Sequence, residues 1–66
     1  MQVTLNGRAQ ELPEELTLLE LLRRLELGNE RVAVERNREI VKRDDWPAVR
    51  VQPGDVLEIV HFVGGG

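Results

Sequence analysis

Polar and apolar positions alternate from the first residues. Gln2-Val3-Thr4-Leu5 has the period-two pattern of a half-buried strand. Asn6-Gly7 follows, the pair best suited to a two-residue hairpin turn, in which both positions need positive φ. Arg8-Ala9-Gln10-Glu11-Leu12 is then the returning strand, and Pro13 ends it. The period changes at Thr17. Leu18, Leu21, Leu22 and Leu25 recur at helical spacing and make one apolar face, while Arg23, Arg24 and Glu26 take the other side. Thr17 with Glu20 three residues later forms a capping box, and Leu16 and Leu21 stand at the positions of a hydrophobic staple. Gly28-Asn29 is a C-terminal stop signal. The spacing predicts a helix at about 18–27.

Beyond the helix the alternation returns. Arg31-Val32-Ala33-Val34-Glu35 reads as a strand, with Val32 and Val34 on one face. Arg36-Asn37-Arg38-Glu39 is a polar turn and Ile40-Val41 a short apolar return. Lys42-Arg43-Asp44-Asp45 is a charged, solvated loop in which Asp44 or Asp45 could cap a brief turn carrying Trp46. Trp46 is expected in the core or as a lid over one end of the sheet. Val49 and Val51 rejoin the core, and Pro53-Gly54-Asp55 makes a tight turn. Val56-Leu57-Glu58-Ile59-Val60-His61-Phe62 is the last strand. Pairing the first strand with the last, in parallel, buries Leu5 with Leu57 and Ile59, and the helix covers one face as the crossover. The expected class is α+β: a ubiquitin-like β-grasp with a mixed sheet and one main helix. Residues 1–63 form a single domain and 64–66 a flexible glycine tail.

Composition narrows the function. A chain of 66 residues hides only ~60% of the surface that its unfolded form exposes. It has no cysteine and a single histidine, His61. Disulfides, thiolate metal sites and a zinc cage are therefore out of reach, and no metal site is assigned. Most nucleophile and base pairings are missing too, which argues against an enzyme and for a carrier or binding module. A net charge of −3 runs against nucleic-acid binding. Arg36, Arg38, Arg43 and Arg50 offer at most weak steering of acidic partners. No apolar run approaches a membrane span, and the first residues lack a signal-peptide pattern, so a cytoplasmic location is expected.

The last strand is apolar on both faces, Leu57 and Ile59 on one and Val60 and Phe62 on the other. One face meets the helix. Val60 and Phe62 are assigned to partner docking because Phe62 leads directly into the tail; the bland alternative is that a loop covers them. His61 shares the parity of Leu57 and Ile59 and reads as a partly exposed side chain with no special role. The end, Val63-Gly64-Gly65-Gly66, is by itself no more than a floppy terminus. Yet glycine has no Cβ, so such a tail can thread a channel that larger residues would block. It reaches roughly 10–13 Å at ~3.3 Å per residue. Its carboxylate is a poor electrophile until another protein activates it.

Together these residues resemble the ThiS-type sulfur carriers of thiamin biosynthesis. The resemblance runs through Asn6-Gly7, Val34-Glu35-Arg36-Asn37, Ile40-Val41 with Trp46, Gly54-Asp55-Val56-Leu57-Glu58-Ile59-Val60, and the Val63-Gly64-Gly65-Gly66 end. It implies that a ThiF-type enzyme uses ATP and Mg²⁺ to adenylate the Gly66 carboxylate, with no cofactor bound to the carrier itself. A persulfide from a cysteine desulfurase route then makes a thiocarboxylate on Gly66, and a ThiG-type thiazole synthase consumes its sulfur. Gly64 and Gly65 would thread the partner's channel. Sulfur carriers for tRNA thiolation, molybdopterin or cysteine synthesis remain alternatives, as does a ubiquitin-like protein modifier. Polymer formation by such a modifier is disfavoured because Lys42 is the only lysine.

Overall fold

The computed structural model describes residues 1–28 and 31–62. The elements run β1 (Gln2–Leu5), β2 (Arg8–Glu11), α1 (Leu18–Arg24), β3 (Val32–Arg36), β4 (Glu39–Val41), a 3₁₀ turn (Arg43–Asp45) and β5 (Val56–His61). The sheet order is β2-β1-β5-β3-β4. β1 pairs β5 in parallel, with Leu5 opposite Leu57, and the other neighbours are antiparallel. The parallel pair needs a crossover, and α1 lies within it and packs on one face. This is the β-grasp arrangement expected from the alternation pattern.

Local chemistry sets each hairpin. Asn6 and Gly7 take φ of 50° and 82°, the mirror-image turn that matches strand twist. Asn37 and Arg38, at 51° and 72°, form a second turn of the same kind between β3 and β4. Helix α1 starts as read. The Thr17 N–H donates to Glu20 Oε1 at 2.8 Å, and the Glu20 N–H donates to Thr17 Oγ1 at 3.1 Å. The first two helical N–H groups find partners outside the helix: Leu18 N–H donates to Val49 O and Leu19 N–H to Trp46 O. Donors that a helix start leaves orphaned thus stitch the 3₁₀ segment onto α1.

Two local expectations are corrected. The helix ends at Arg24 rather than near residue 27, because Glu26 turns left-handed at φ 61°. Its N–H donates to Arg23 O, and Leu27 N–H donates to Leu22 O at 2.7 Å. That pair of bonds closes a Schellman motif two residues before the glycine that signalled the stop. Gly28 serves packing instead: a Cβ there would stand 3.0 Å from Arg23 Cγ. Asn29, the second half of the predicted stop, lies outside the described residues. The 3₁₀ turn is likewise capped by neither Asp44 nor Asp45; backbone bonds to Asp45 O from Ala48 and Val49 continue the turn.

The core lies between sheet and helix. Val3, Val32, Val34, Leu57 and Ile59 from the sheet meet Leu18, Leu21 and Leu22 from α1, with Trp46 and Val51 closing the side. Trp46 is a core residue, 1% exposed, and its indole N–H donates to Val41 O at 3.0 Å. That bond satisfies the polar edge of the largest side chain in the core.

Candidate functional site

β5 is the central strand and the one that leads to the C-terminus. Its burial alternates along its length, as period two requires. Leu57 and Ile59 point at the helix. Val56, Glu58 and Val60 point to the other, open face. Val60 is 59% exposed and Phe62 62%, so no loop covers them. The Phe62 N–H donates to Arg31 O at 2.9 Å, which holds the chain against the β3 side up to the root of the tail. His61 stands opposite Val32 and is exposed. Val63 and the three tail glycines, Gly64, Gly65 and Gly66, lie outside the described residues.

Register completes the face. Ala33 lies opposite Val60, Glu35 opposite Glu58, and Ile40 opposite Glu35. Ile40, 66% exposed, therefore belongs with Val56, Val60 and Phe62. Sequence reading placed it only as a short apolar return. The two-residue turn at Asn37-Arg38 pairs Arg36 with Glu39 and so sets Ile40 directly opposite Glu35, on the same face; a four-residue turn, as the polar run Arg36-Asn37-Arg38-Glu39 suggests, does not fix that register. At the β3–β4 end, Phe62, Ala33, Ile40 and Trp46 line a groove of about 430 Å³, together with Lys42 and Arg43. Four large exposed apolar side chains on one sheet face mark an interaction surface rather than ordinary scatter.

Two polar clusters hold β5 in place. The Asn6 side chain extends the parallel ladder where β1 turns away: its Oδ1 accepts from the Ile59 N–H at 2.8 Å and its Nδ2 donates to Ile59 O at 3.3 Å. Asp55 is buried, 5% exposed. It accepts from the Gln52 N–H, from Arg36 Nε at 2.8 Å and from Asn37 Nδ2 at 3.1 Å. Burial alone would push this carboxyl up. The Gln52, Arg36 and Asn37 bonds, with the Arg36 charge, outweigh it and hold the group below the usual carboxylate range. Asn37 Oδ1 also accepts from the Val56 N–H. Arg36 is thus a structural partner of Asp55, not a steering charge. Arg43 lies 4.6 Å from the Trp46 ring centroid, and Arg50 is 3.9 Å from Glu15.

Among the described residues no group of His, Cys, Asp or Glu is placed to hold a metal ion, and no helix is long and apolar enough to cross a membrane. What the fold presents is one open apolar face continuous with the strand that carries the tail.

Comparison with known proteins gives that combination a family. The ThiS family model matches residues 3–66. The thiazole synthase of Magnetococcus marinus is 44% identical over 66 residues, which is 100% of this chain but 20% of that protein. The chain therefore spans about a fifth of that relative's length. The sulfur carrier protein ThiS of Bacillus subtilis is 48% identical over 50 residues, 76% of each chain. The crystal structure of the thiamine biosynthesis protein ThiS from Geobacter metallireducens superposes with a TM-score of 0.87 at 36% identity, covering 100% of both chains. With the family model spanning nearly its whole length and the β-grasp topology shared, the chain belongs to the ThiS family.

Proposed function

We propose that this protein is the sulfur carrier for thiazole formation in thiamin biosynthesis, and that it works as a substrate-bearing handle rather than as an enzyme. The observation that carries the reading is the continuity of three features on one strand: a core-anchored β5, an open apolar face, and a chain that runs on to Gly64-Gly65-Gly66. Val60 and Phe62 dock the partner and orient the tail. Gly64 and Gly65 enter its channel. The Gly66 carboxylate is the reacting group.

The chemistry is carried by partners. A ThiF-type enzyme with ATP and Mg²⁺ transfers AMP to the Gly66 carboxylate and releases pyrophosphate. A persulfide sulfur, supplied through a cysteine desulfurase, displaces AMP, and a reductive thiol step leaves the thiocarboxylate. The absence of cysteine means that no thiol of the carrier itself can attack the activated carbonyl. A thiazole synthase then takes the sulfur. Relatives called thiazole synthase that contain this sequence region within a longer chain support that last partner, since tethering raises the local concentration of carrier at the consuming enzyme. The setting is cytoplasmic, where ATP and desulfurase are at hand.

The test is genetic and structural together. Deleting Gly65 and Gly66 should leave the thermal melt of the domain unchanged and abolish rescue of a thiazole auxotroph. Rescue by the truncated chain would refute the carrier role. A tRNA-thiolation or molybdenum-cofactor defect on gene deletion, with thiazole synthesis intact, would move the protein to another acceptor.

A further inference from the structure

The open face breaks a local rule at its centre. Glu35 on β3 stands directly opposite Glu58 on β5. Like charges in that relation repel and weaken a sheet. No ion pair to either carboxylate is formed among the described residues. The two sit among the exposed apolar side chains of the face: Ile40 beside Glu35 across the β3–β4 pair, and Val56 and Val60 on either side of Glu58 along the strand. A face meant only for water gains nothing from this. A face that meets a cation does, and local rules tend to be broken where a surface works.

Resting on the reading that this face docks the sulfur-consuming enzyme, we infer that its occupant is a thiazole-synthase-type protein that sets one Arg or Lys side chain, framed by apolar residues, between Glu35 and Glu58. Side chains directly opposite on neighbouring strands stand with Cβ atoms ~4.5–5.5 Å apart, a gap that one guanidinium spans by donating to both carboxylates. The surrounding apolar contact excludes water from the formed seat and strengthens the attraction there, while salt still weakens the approach of the two charged surfaces that forms it. The same pair rejects wrong occupants. A partner without the cation leaves two carboxylates covered and unpaired, which is strongly unfavourable. A second copy of this chain would bring Glu35 and Glu58 against themselves. The net charge of −3 favours approach to a basic patch as well.

The test uses the full chain and the purified thiazole synthase of the same host, with affinity measured by calorimetry at low and at high salt. Wild type, Glu35→Gln, Glu58→Gln, the double variant, Val60→Asp and Phe62→Ala are compared, and circular dichroism checks that each is folded. Each single Gln variant should bind about tenfold more weakly or worse. The double variant should lose most of the salt dependence and should melt no lower than wild type. Tight, unchanged, salt-dependent binding by the double variant, while Val60→Asp or Phe62→Ala weakens it, would overturn the cation seat and leave the docking face standing. Undiminished binding by both apolar-site variants would overturn the docking face. An affinity loss equal at both salt concentrations, or self-association of the double variant with synthase affinity intact, would also overturn the inference; in the latter case the pair serves to keep copies apart. Thiocarboxylate formation on each variant, read by intact mass, reports on the carrier reading separately.

Discussion

Asp55 is the residue on which the start of β5 depends. Its carboxylate gathers the Gln52 backbone, Arg36 and Asn37 into one buried cluster. Asp55→Asn keeps the shape but removes the charge that Arg36 faces, and should cost about 2 kcal/mol, read from urea denaturation. The pH dependence follows from the same bonds. The folded-state pKa is lowered, so the contribution is complete above the unfolded value of about 3.9 and is lost as pH falls through the folded value. Stability of the wild type should therefore drop below about pH 4, and the drop should be shallower in Asp55→Asn; circular dichroism against pH measures both. Asn6→Ala should cost about 1–2 kcal/mol in the same denaturation assay, because Ile59 N–H and O both lose a partner. Sequence reading found Asn6 and Asp55 as turn residues and missed these roles. Ile59 lies 53 residues from Asn6, and Arg36 and Asn37 lie 19 and 18 residues from Asp55; local pattern carries no signal at such separations, while the Gln52 bond belongs to the turn itself.

The helix shows what pattern does carry. Its capping box and its three buried leucines were legible, because each depends on residues within one turn. Its end was not. A left-handed Glu26 competes with a nearby glycine that any propensity argument favours, and packing of Leu25 and Leu27 against the core decides the matter. Seven residues are too few for a helix to stand alone, so α1 owes its existence to the sheet beneath it. Thr17→Ala should cost about 1 kcal/mol by removing the cap. Leu22→Ala, at a position with no exposure, should cost about 2–5 kcal/mol, enough to unfold much of the population in a domain this small. Thermal melts of the two variants separate the cap from the packing.

At the scale of the molecule, the parallel β1–β5 pair places the tail-bearing strand in the middle of the sheet, with neighbours on both sides. The tail thus leaves from the most supported strand, and the open face beside it gives a partner a fixed surface to grip. Alternation in the sequence was enough to put Val60 and Phe62 on that face. Ile40 and the Glu35–Glu58 pair emerge only once the strand register is known. The carrier role rests on the chemistry of one terminal group. The most direct measurement is the intact mass of the protein after incubation with ATP, Mg²⁺, the host's ThiF-type adenylating enzyme and a persulfide source. A sulfur carrier gains the mass of one oxygen-to-sulfur replacement, located at Gly66 by fragmentation and missing when Gly66 is deleted. No gain with any adenylating enzyme of the host, or a gain located elsewhere in the chain, would contradict the carrier role.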